Sequence, residues 1–198
     1  MKFTLEPYQS TAVESVLTHL AKARAGYLDD GERTAVGLTA PTGAGKTVIA
    51  TAVLEGIYKG TPTRTPNPDM TVLWITDDRS LNAQTISKIT QASGGSIDIN
   101  RIRFLGEVDH RTLEPGHIYF VHIQAMQKNS TLHAVRPDGT HNDKRTHGAW
   151  DMIANTVRER GEDFLVIWDE AHRGSGTKNT DRKSIAGTIV GGGGTTNI

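Results

Sequence analysis

A chain of 198 residues is long enough for one domain with a real core and short for two. Lys plus Arg and Asp plus Glu balance at 22 each, which argues against a generally basic nucleic-acid surface and leaves room for a local basic groove. The lack of cysteine removes disulfides and thiolate-bound metals. No run approaches the ~20 apolar residues of a membrane span, and the start MKFTLEPYQS has no signal-peptide core, so a soluble cytoplasmic protein is expected.

Residues 7–26 predict a helix: Val13, Val16, Leu17, Leu20 and Ala21 recur on one face, Pro7 suits the first turn and Gly26 the stop. DDGER is a turn, and TAVGLTA (34–40) reads as a short buried strand. KTVIATAVLEGIYKG has helical length and ends at Gly60; TPTRTPNPDM, with three prolines, is a loop. TVLWIT (71–76) reads as a buried strand, and SLNAQTISKITQAS as a helix with Leu81, Ile86 and Ile89 inward, closed by two glycines. INRIRFLG and GHIYFVHI are further strands, the second followed by a short helical QAMQKN. The polar stretch 130–147 reads as a surface insertion. GAWDMIANTVRERG is a helix facing inward with Trp150, Ile153, Ala154 and Val157, and DFLVIWDE is a buried strand. The end, GTIVGGGGTTNI, has no clear period. Near-continuous apolar strands alternating with helices predict an α/β fold of three layers with a mostly parallel sheet.

The strongest chemical signal is APTGAGKT, residues 40–47, between the expected strand and a helix. Glycines let the backbone of Thr42, Gly43, Ala44 and Gly45 curl into a ring of N–H donors for phosphate, and the helix N-terminus adds partial positive charge. Lys46 would reach the β- and γ-phosphates of ATP, and the Thr47 hydroxyl would bind Mg²⁺. The first position of the strict G-x-x-x-x-G-K-[ST] pattern holds Ala40. FLVIWDEAHRG (164–174) supplies the complement: a buried strand carries Asp169 to the rim where the loop sits, to hold Mg²⁺ through water. Glu170 beside it would orient and deprotonate the attacking water.

Together APTGAGKT and DEAH resemble motifs I and II of the DEAD/DEAH-type superfamily 2 helicases and translocases. The arrangement is most similar to the helicase domains of type III restriction enzyme (Res) subunits. The resemblance runs from Phe3 to Gly174. It implies a RecA-like ATP-binding domain of a nucleic-acid-dependent motor, acting on DNA, with RNA as the alternative, and with nuclease or methyltransferase subunits as partners. LEPYQSTAV is similar to the upstream glutamine motif, which implies that Gln9 reads the adenine edge and that Tyr8 packs near the base. VLWITDDRSLNAQT looks like motif Ia, which assigns Arg79 and Ser80 to a nucleic-acid backbone. His172 would couple the nucleotide state to motif III. The chain departs from the family at Glu6, where arginine is usual, and at Asp77 and Asp78, which put acid into motif Ia. No motif III follows Gly174. The expectation is a first motor domain without its second RecA-like domain and arginine finger, not competent alone for efficient hydrolysis.

Other clusters carry less. His133, His141 and His147 with Asp138 and Asp143 fit no standard metal-ligand spacing and read as solvated loop. Lys128, Arg136, Lys144 and Arg145 are diluted by acidic neighbours as a phosphate surface. Trp74, Trp150 and Trp168 read as core. A P-loop ATPase that remodels protein instead of nucleic acid is the alternative class.

Overall fold

The structure, a computed structural model, describes residues 1–77, 79–127, 130–136 and 138–169. The run TVLWIT becomes β1 (Thr71–Thr76), buried at every residue. It is flanked on one side by β3 (Ile118–His122) and on the other by β4 (Phe164–Trp168), with β2 (Ile102–Phe104) beyond β3. All three pairings are parallel, with Leu73 opposite both Tyr119 and Val166. A parallel sheet needs cover on both faces, and the two-residue alternation of each strand supplies apolar side chains to both.

On one face Val72, Trp74, Ile118 and Phe120 pack with Leu54 of α2 (Lys46–Lys59) and Ile89 of α3 (Arg79–Ser93). Trp74 and Phe120 stack there with ring centroids 5.5 Å apart. On the other, Leu73, Ile75, Tyr119 and Val121 meet Met152 and Ile153 of α4 (Ala149–Arg160). A separate apolar seam of Val13 and Leu17 against Ile49, Ala52 and Val53 lays α1 (Pro7–Asp30) along α2. The result is the expected α/β arrangement, helix layers on both sides of an all-parallel sheet, with every strand's carboxyl end on one rim.

Several local expectations change. Residues 34–40 form no strand, and most of them are exposed, Leu38 included. The run has no ladder partner there, and Gly37 in its middle lowers its strand tendency further. α1 passes through Gly26, where a Cβ would meet open space, and stops at Gly31, whose left-handed backbone (φ 75°) returns its N–H to the Tyr27 carbonyl at 3.0 Å. In α4 the inward face is Ala149, Met152, Ile153 and Thr156, while Ala154 is exposed. β2 keeps only three of the eight residues expected, between two 3-10 turns.

The insertion before α4 lies at the surface yet is folded on itself. Asn142 donates from its side chain to the carbonyls of Thr131 and His133, at 3.1 and 3.0 Å. The Asp109 carboxylate accepts the backbone N–H groups of Thr146 and His147, both at 2.7 Å. Leu132 enters the core beside Met152. Of the tryptophans, Trp74 is fully buried, and Trp150 and Trp168 are half-buried. The Trp150 indole donates to the Met126 carbonyl at 3.2 Å.

Candidate nucleotide site

Residues 41–45 form a turn in which the Ala44 N–H donates to the Pro41 carbonyl at 3.2 Å. Gly43 and Gly45 both sit at positive φ, 84° and 76°, a region that side-chain-bearing residues enter only at a cost. Gly45 is the N-cap of α2, and the first helical bond runs from Ile49 N–H to its carbonyl at 2.9 Å. The backbone N–H groups of residues 46–48 therefore lack intrahelical acceptors and face outward from the positive end of a fourteen-residue helix.

Lys46 is half-buried, and its ammonium donates to the Ala40 carbonyl across the loop at 3.2 Å. Among the described residues it forms no ion pair. A half-buried cation held only by a neutral acceptor at a helix N-terminus favours an incoming anion. Thr42, Lys46 and Thr47 are among the residues that line a broad, open cavity of about 1920 Å³ reaching from α1 to α4 and along β4. Asp169 lines the same cavity. Its backbone N–H donates to the Ile75 carbonyl at 2.9 Å, which continues the β1–β4 ladder by one residue and fixes the acid at the rim.

The glutamine meets the loop from outside. α1 begins at Pro7, and Gln9, buried in its first turn, accepts the Glu6 N–H on Oε1 at 3.1 Å. Its Nε2 donates to the Ala44 carbonyl at 3.1 Å and to the Tyr8 hydroxyl at 3.3 Å. The Tyr8 hydroxyl itself donates to the same Ala44 carbonyl at 3.1 Å. The phosphate loop is thus tied to the first turn of α1 through one carbonyl. The adjacency of Tyr8 and Gln9 was visible in the sequence, whereas the tyrosine's hydrogen bond to the loop was not.

Arg79 and Ser80 begin α3, exposed, just past the carboxyl end of β1 and away from the cavity lining. Glu170 and His172 lie outside the described residues. So does Lys128, while His133, His141 and His147 form no group able to hold a metal among the described residues.

The donor set fits a magnesium–nucleotide. Two glycines in left-handed backbone open the loop, a helix N-terminus and a lysine that forms no ion pair among the described residues suit phosphate charge, and a hydroxyl and a carboxylate among the cavity's lining suit a hard cation. A parallel α/β sheet with this loop at its carboxyl rim defines a P-loop nucleotide-binding domain. The sequence model of the family described as type III restriction enzyme, res subunit, matches residues 2–189, and the chain belongs to that family. Comparison with curated proteins and with solved structures gave no match. The chain is a superfamily 2 helicase-like ATP-binding domain, from a family that in general uses ATP with Mg²⁺ and binds nucleic acid. No helix among the described residues is long and apolar enough to cross a membrane.

Proposed function

We propose that this domain is the ATP-binding half of a nucleic-acid-dependent ATPase, a helicase or translocase working on DNA in a restriction or DNA-processing system. The observation that supports it best is the shared cavity: the loop's Lys46 and Thr47 and the strand-end Asp169 line one space. Bound Mg²⁺ would neutralise phosphate charge and hold the phosphates in line. Thr47 and Asp169 are the residues that would hold it, Asp169 through water. Lys46 exchanges the Ala40 carbonyl for phosphate oxygens, and the N–H groups at the start of α2 bind the remaining anionic edges. Gln9 reads the adenine. Glu170 takes the proton of the attacking water, His172 relays the nucleotide state, and Arg79 and Ser80 touch the nucleic-acid backbone.

Turnover in this family resemblance needs a second motor domain with an arginine finger, a group worth roughly 10³–10⁵ in rate in other nucleotide hydrolases. A first motor domain assayed without a second is expected to bind Mg-ATP weakly at best and to hydrolyse it negligibly. The test is a titration of ATPase rate with single-stranded and duplex DNA, on this chain and on one extended through a second motor domain. Stimulation only in the extended chain, abolished by Lys46→Ala and by Glu170→Gln, is the expected result. Turnover that DNA does not stimulate would move the assignment to a protein-remodelling switch, and turnover retained in both variants would remove these residues from their roles.

A further inference from the structure

We draw no further inference here: the strongest candidate, the apolar slot between the outer edge of β4 and residues 34–40, with α1 and α2 on one side and α4 on the other, belongs to the cavity already described, and nothing among the described residues shows what covers it.

Discussion

Gly45→Ala tests whether the phosphate loop is held by α1 or stands by itself. At φ 76° an alanine occupies left-handed backbone, at a cost of about 1–2 kcal/mol. Its Cβ would lie 2.6 Å from Gln9 Nε2, too close for the amide to stay. Moving Gln9 breaks the shared bond to Ala44 and Tyr8 and the bond from Glu6, each worth about 0.5–1.5 kcal/mol. The sum is about 2–5 kcal/mol. Gly43→Ala is the matched control, because it sits at φ 84° with no atom within 4 Å of its Cβ position and carries the backbone cost alone. Apart from Gln9, the nearest neighbour of a Cβ at position 45 is Val48 Cβ at 3.7 Å, an ordinary contact. Urea unfolding of both variants, in the wild type and in a Gln9→Ala background, separates the terms. Gly45→Ala should cost about 1–3 kcal/mol more than Gly43→Ala in the wild type and about the same in Gln9→Ala. Equal costs in the wild type, or a gap that persists without Gln9, would refute the latch between helix and loop.

Met152→Ala removes a fully buried side chain from the face where α4 meets the sheet, and should lower stability by about 2–4 kcal/mol in the same urea assay. Asp109 offers a pH test at the insertion. Backbone hydrogen bonds from Thr146 and then His147 hold its carboxyl below the usual carboxylate value. A folded value below the unfolded one means the clamp is fully present above the unfolded value, about 4, and is lost as pH falls through the folded one. Amide-exchange protection factors at Thr146 and His147 should therefore be high at pH 6 and collapse in acid, and Asp109→Ala should abolish them at both. Protection that survives in Asp109→Ala would show that Asn142, not Asp109, fixes the loop.

Much of the fold was legible because its signals are local. The runs TVLWIT and FLVIW have strand length and end sharply, and both form parallel strands. Pro7 placed the start of α1, and the two-glycine stop at Gly94 and Gly95 closed α3. The loop was legible because a glycine–lysine turn before a helix has few other uses. What escaped depends on distant neighbours. Gly26 looks like a stop, but nothing crowds it, and the helix ends only at the left-handed Gly31. The polar composition of residues 130–147 hides the Asn142 and Asp109 bonds that order them, since these pair side chains with backbone carbonyls and N–H groups far along the chain. Tyr8 was legible as a neighbour of the glutamine, and its bond to a carbonyl 36 residues away was not.

TAVGLTA carries the most instructive difference. A strand is a property of pairs, because its N–H and C=O groups need a ladder as much as its side chains need a core. β1 has partners on both sides and is wholly buried, whereas β4, equally apolar, stands at the edge of the sheet formed by the described residues and is only half-buried. Residues 34–40 line the same cavity as β4 without joining it. The two sides of the proposed nucleotide site are held by different contacts, although α2, which begins at Lys46, also packs on the sheet through Leu54. Asp169 is fixed through the β1–β4 ladder by its bond to Ile75, and the phosphate loop is fixed through Ala44 to Gln9 and Tyr8 of α1. Changes in α1 should therefore move the Lys46 side of the cavity and leave the Asp169 side in place.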